Sequence, residues 1–96
     1  MVTIGMNYRV LEGKEEIFEA AFERVLEATR GMPGHAETRL YRCVGEPREY
    51  LIVSRWEDQT AFESFMRSDR FAKVTNWGLK NILDGPPRHT TYREGL

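Results

Sequence analysis

The chain has 96 residues, 41% hydrophobic and 30% charged, with 14 Lys and Arg against 15 Asp and Glu for a formal charge of -1. That is room for a single domain, residues 1–96, and the balanced charge excludes the long-range positive field that nucleic-acid or anionic-membrane binding depends on. No apolar run is long enough for a membrane span, Met1–Asn7 lacks a secretory pattern, and the lone Cys43 makes no internal disulfide, so a cytoplasmic setting is expected.

Residues 2–10 read as a strand, with Val2, Ile4, Met6, Tyr8 and Val10 on one face and Thr3, Gly5, Asn7 and Arg9 on the other. A helix is predicted from Lys14 to Arg30, where Ile17, Phe18, Ala21, Phe22, Val25, Leu26 and Ala28 recur at helical spacing. Glu15 and Glu16 in its first turn suit the helix dipole, and Gly31 and Pro33 stop it. Strands follow at 36–44 and 49–56, joined by Gly45-Glu46-Pro47-Arg48 as a hairpin. The unbroken apolar run Tyr50-Leu51-Ile52-Val53 fits a strand covered on both faces.

Asp58 is placed to cap a second helix bearing Ala61, Phe62, Phe65 and Met66, and Ser68-Asp69 reads as a break before a short helix over 70–80. Asp84-Gly85-Pro86-Pro87 is a stop, and Arg88–Glu94 reads as a last strand. The order β-α-β-β-α-β is that of an α+β, ferredoxin-like domain: a four-stranded antiparallel sheet with helices on one face. The uncovered face calls for a second chain, and a sheet-to-sheet homodimer is expected. A chain this short buries only about 60–65% of its unfolded surface, which points the same way.

No phosphate loop, paired metal motif, CxxC or nucleophile elbow is present. Two separated histidines and one cysteine do not make a metal site, so none is assigned. His35 falls in the loop after the first helix and reads as solvated, His89 alternates with Thr91 and Arg93 on the last strand, and Cys43 reads as a small packed residue. Asn7 is unusual in a strand: it either bonds a neighbouring loop or aims its amide into a pocket between sheet and helices. Phe18, Phe22, Phe62, Phe65, Phe71 and Trp77 make a ring-rich helix layer, fit for a core or for a flat organic ligand.

Met6-Asn7-Tyr8-Arg9-Val10 with Glu12-Gly13, the Gly31-Met32-Pro33-Gly34 loop, Trp56–Phe62 and Ser68-Asp69-Arg70-Phe71 together resemble the antibiotic biosynthesis monooxygenase superfamily. The resemblance implies a dimeric α+β barrel. It also implies either cofactor-independent oxidation of electron-rich aromatics such as quinols, or haem degradation. The haem branch uses an Asn on the first strand, a Trp on the second helix and a His further along. Asn7 matches the first, while Phe65 and Thr75 stand at the other two positions, and Trp77 lies just beyond. Without that histidine the usual iron ligand is missing.

Three functions follow as expectations. The first is a cofactor-free monooxygenase in which Asn7 is catalytic, stabilising an oxyanion, and Phe22, Phe65, Thr75 and Trp77 bind a small aromatic molecule. The second is haem binding or degradation through His89 or His35. The third is a dimeric binding domain without chemistry.

Overall fold

The computed structural model describes residues 1–76, 79–85 and 88–93. Its elements are β1 (Val2–Arg9), α1 (Glu15–Thr29), β2 (His35–Cys43), β3 (Glu46–Trp56), α2 (Gln59–Met66), α3 (Asp69–Asn76), α4 (Leu79–Ile82) and β4 (Arg88–Arg93). The strands form one antiparallel sheet in the order β2-β3-β1-β4, the order of a ferredoxin-like α+β fold. Among the described residues no helix is long and apolar enough to cross a membrane.

The period-2 pattern of β1 sets the layering. Val2, Ile4 and Tyr8 are buried, and they pack with Phe18 and Ala28 of α1 and with Phe62 and Phe65 of α2, so both helices cover one face. Thr3, Gly5, Asn7 and Arg9 stand on the other face, in register with Arg55, Val53, Leu51 and Glu49 of β3. The Tyr50–Val53 run divides accordingly. Tyr50 and Ile52 are buried beneath the helices, while Leu51 and Val53 are half-buried on the opposite face.

Local chemistry fixes the boundaries. The N-terminus of α1 has no side-chain cap of its own; the Glu15 carboxylate instead accepts from the Gly13 N–H at 3.1 Å. Its C-terminus closes at Thr29, where the Arg30 N–H bonds Leu26 O at 3.0 Å and Gly31 turns the chain at φ +75°. Gly34, at φ +80°, lets this loop lie on α2: a Cβ there would stand 2.6 Å from Ala61 Cβ. Asp58 caps α2 by accepting from the Ala61 N–H at 2.8 Å. Ser68 makes the break, since its hydroxyl donates to Phe65 O at 2.6 Å and accepts from the Phe71 N–H at 3.2 Å.

Three boundaries differ from the sequence expectation. Val10 leaves the strand and makes an isolated bridge to Leu83 instead. The hairpin turn is only Val44-Gly45, so β3 starts at Glu46, beside a register shift between Arg42 and Cys43. Helix is found past residue 80, where the sequence expectation ends it, since α4 closes at Ile82.

The core has two lobes. One holds Val2, Ile4, Ala28, Trp56, Phe62 and Phe65; the other holds Tyr8, Val10, Phe18, Tyr50, Ile52 and Ile82. Met6 is partly buried and packs against both.

Candidate functional site

The first lobe is built around Trp56, which is fully buried at the end of β3. Its ring lies 5.4 Å from Phe65, 6.0 Å from Phe62 and, edge-on, 4.9 Å from His35. Phe71 closes on Phe65 at 5.3 Å. The indole N–H donates to Ser54 Oγ at 3.0 Å, so the one polar atom of the ring is satisfied.

His35 belongs to this lobe, not to a solvated loop. It opens β2 half-buried, with Nε2 2.6 Å from Thr38 Oγ1, and burial holds its pKa below the ordinary histidine value. This burial has a local cause. Gly34 seats the loop on α2 and Glu57 N–H bonds Gly34 O at 2.7 Å, which brings the next residue in beside Trp56.

The second lobe carries two phenols. Phe18 lies between them, 5.4 Å from Tyr8 and 4.7 Å from Tyr50. The Tyr50 hydroxyl donates to the Glu19 carboxylate, which also pairs with Arg42 at 3.6 Å. Among the described residues the Tyr8 hydroxyl has only the Met6 sulfur, 3.6 Å away. Burial pushes the Tyr8 phenol up to about 12, and burial with the Glu19 hydrogen bond does the same for Tyr50. Beneath α1, Tyr8, Phe18, Ala21, Phe22, Val25 and Ile52 line a gap of about 10 Å³, close to the room one water needs.

Asn7 is elsewhere. Its neighbours Met6 and Tyr8 face the helices, so strand alternation turns the amide to the opposite face, where the residue is exposed. It lines a cleft of about 520 Å³ with Arg9, Glu49, Asp84 and Arg88, which Tyr8 and Tyr50 also border, and there Arg9 pairs with Glu49 at 3.4 Å and with Asp84 at 3.6 Å. The amide therefore does not enter a pocket between sheet and helices, and the sheet separates it from Phe22 and Phe65.

Those two rings are also apart from each other. Phe22 packs on the Tyr8 lobe and lines its gap, whereas Phe65 is buried in the Trp56 lobe. Thr75 falls in α3, and Trp77 lies outside the described residues. His89 takes the register position opposite Met6. Cys43 is exposed at the end of β2, not packed, because the tight turn that follows leaves it at the tip of the hairpin. Among the described residues no three His, Cys, Asp or Glu side chains converge as a metal site would require.

Sequence reasoning passed over Tyr8, Met6 and Trp56 as chemistry. The signal for the first two was in the alternation of β1, which puts a phenol and a thioether side by side on the covered face.

The family model for antibiotic biosynthesis monooxygenase matches residues 1–77. A protein of Haloarcula marismortui named as a putative heme-binding protein is 34% identical over 87 residues, 91% of this chain. A second so named, from Natronomonas pharaonis, matches to the same extent. The chain spans only 13% and 14% of the length of these two relatives. Among solved structures, a cofactor-independent oxygenase from Streptomyces nogalater superposes with a TM-score of 0.85 at 21% identity, covering 99% of this chain and 93% of that one. An antibiotic biosynthesis monooxygenase, so described as putative, from Bordetella bronchiseptica reaches 0.89 at 21% identity over 99% and 97%.

Proposed function

Since the chain belongs to the antibiotic biosynthesis monooxygenase family, we propose that it oxidises a small electron-rich phenol with O₂ and no cofactor. The observation that carries this reading is the seam beneath α1, where Phe22 lines an apolar gap on the dry side of the sheet. The likeness of fold to a cofactor-independent oxygenase supports it.

The chemistry asks little of the protein beyond its surroundings. The phenol loses its proton, and the phenolate gives one electron to O₂. The resulting ring radical and superoxide combine at the para carbon, and the hydroperoxide loses water to leave a quinone. One phenol and one O₂ thus become one quinone and one water. The chain's part is to exclude water, hold the ring and keep O₂ against it. Phe22 is the proposed wall on α1, and Thr75 and Trp77 are kept as proposed substrate contacts. Met6 is the side chain the substrate displaces, since Met adapts readily to a changed cavity. Phe65 supports the site from the neighbouring lobe. Asn7, on the other face, belongs in this proposal to the homodimer contact formed around Leu51 and Val53; a protein that sediments as a monomer would refute that contact.

The test is oxidation of 1-naphthol by chelator-treated protein under ¹⁸O₂. The expected result is 1,4-naphthoquinone carrying one ¹⁸O atom, with the other in water. Quinone formation no faster than without protein would overturn the reading.

Haem binding, the property named for the archaeal relatives, is the second reading. His35 does not fit as an axial ligand, because its Nε2 is engaged by Thr38 and its ring packs against Trp56. Of the two histidines only His89 is left to serve, and a haemin titration with no change in the Soret band would close this branch.

A further inference from the structure

The described polar side chains of the interior are nearly all matched to strong partners. Trp56 donates to Ser54, Tyr50 to Glu19, and the Thr29 hydroxyl to Leu26 O at 3.1 Å. Two are not: among the described residues Gln59 Oε1, on α2, is buried without a partner, and Tyr8 has a poor one. Tyr8 is 8% exposed, yet among the described residues its hydroxyl meets only a thioether, at 3.6 Å. Sulfur of this kind is a weak acceptor, and a buried donor left short of a good one costs about 1–3 kcal/mol. A fold that needed only the ring at position 8 would be served as well by phenylalanine.

Position and chemistry agree. Tyr8 lines the gap beneath α1 together with Phe18, Phe22 and Ile52, so its neighbours there are apolar. The Met6 side chain, which receives the hydroxyl, is also the filler between the two lobes. Met has an unbranched and flexible side chain, so the group that holds the hydroxyl at rest is the one most easily moved aside.

We infer that Tyr8 and Met6 form the polar end of a binding site for a flat phenol, whose ring enters the seam as Met6 withdraws and whose oxygen accepts the Tyr8 O–H. This rests on the phenol-oxidising reading above and assigns the group that holds the oxygen, the role for which Asn7 is on the wrong face. Burial keeps Tyr8 protonated at neutral pH, so it remains a donor toward a phenol or its phenolate. Tyr50 cannot take the part, because Glu19 already holds its proton end. The arrangement also sets specificity: a donor at the end of an apolar slot favours a ring that bears oxygen over one that does not.

The experiment compares two probes, 1-naphthol and 1-methylnaphthalene, by calorimetric titration under argon. The wild-type protein should bind the naphthol about tenfold more tightly, the value of one buried hydrogen bond. Tyr8→Phe keeps the ring and should bring the two affinities together while leaving that of 1-methylnaphthalene in place. Met6→Leu conserves volume without the sulfur and should widen the preference, which keeps the test open if Tyr8→Phe folds poorly. A naphthol preference that survives in Tyr8→Phe, or one that narrows in Met6→Leu, overturns the role of Tyr8 alone. A wild-type protein that binds neither probe overturns the phenol reading and this inference with it.

Discussion

The two lobes of the core are similar in composition and opposite in design. Around Trp56 the rings of His35, Phe62, Phe65 and Phe71 pack in a chain, the indole N–H is bonded, and Trp56 itself is wholly buried. Around Tyr8 and Tyr50 the rings leave a residual gap, one hydroxyl leans on a weak acceptor, and a second reaches out to the half-exposed Glu19. A domain of this size holds only a few kcal/mol of net stability. Placing closed packing in one lobe and adaptable packing in the other lets the fold stay cooperative while one region can still admit a guest.

The widest separation between the lobes should appear on truncation. Trp56→Ala removes the ring on which three others lean and leaves a cavity that its strand and helix cannot close. We expect a loss of about 3–5 kcal/mol, enough to unfold much of the protein at 37 °C. Tyr8→Phe keeps its packing on Phe18 and gives up one weak hydrogen bond along with a poorly matched buried donor, for a change of less than about 1 kcal/mol in either direction. Urea unfolding of the two variants measures both. Equal costs would mean that the lobes do not differ in the way described.

Much of this layout is legible in the sequence. The period of β1 sorted its side chains onto two faces, Gly31 and Asp58 marked helix ends, and Ser68 marked the break between α2 and α3, each through backbone chemistry that acts within a few residues. Relations between elements were not legible. Phe22 and Phe65 sit at similar inward positions on different helices, and spacing along each helix says nothing about which lobe it meets. His35 looked solvated because the docking of Gly34 on Ala61 is a contact between a loop and a distant helix. Asn7 is a different case: alternation alone puts it opposite Met6 and Tyr8, and the expectation of an amide in the pocket rests on the rarity of Asn in strands, which says nothing about the face it takes.

Alkali should act on the second lobe. Both phenols titrate near 12 in the folded chain against about 10 when unfolded, so each favours the native state fully below pH 10 and loses that contribution as pH rises toward 12. For the buried Tyr8 this difference corresponds to at most about 2–3 kcal/mol. Unfolding midpoints between pH 9 and 12 should therefore fall, and fall less steeply in Tyr8→Phe. An unchanged slope in that variant would show that Tyr8 ionises as freely in the fold as in the open chain.

Acid should act on the first lobe, more gently. Burial lowers the pKa of His35, so the native state resists the proton that the unfolded chain accepts near pH 6.5. The sign follows directly: the stabilising contribution is complete above about pH 6.5 and drains away as pH falls from there toward the depressed native value. A proton that enters must also lie edge-on to the Trp56 ring and alter the hydrogen bond with Thr38, so the cost falls on the closed lobe and not on the seam. His35→Gln should flatten the dependence of unfolding free energy on pH between about 7 and 5.5, while naphthol binding beneath α1 keeps its wild-type response over the same range. If binding and stability instead change together, the lobes are coupled, and the closed half is part of the site.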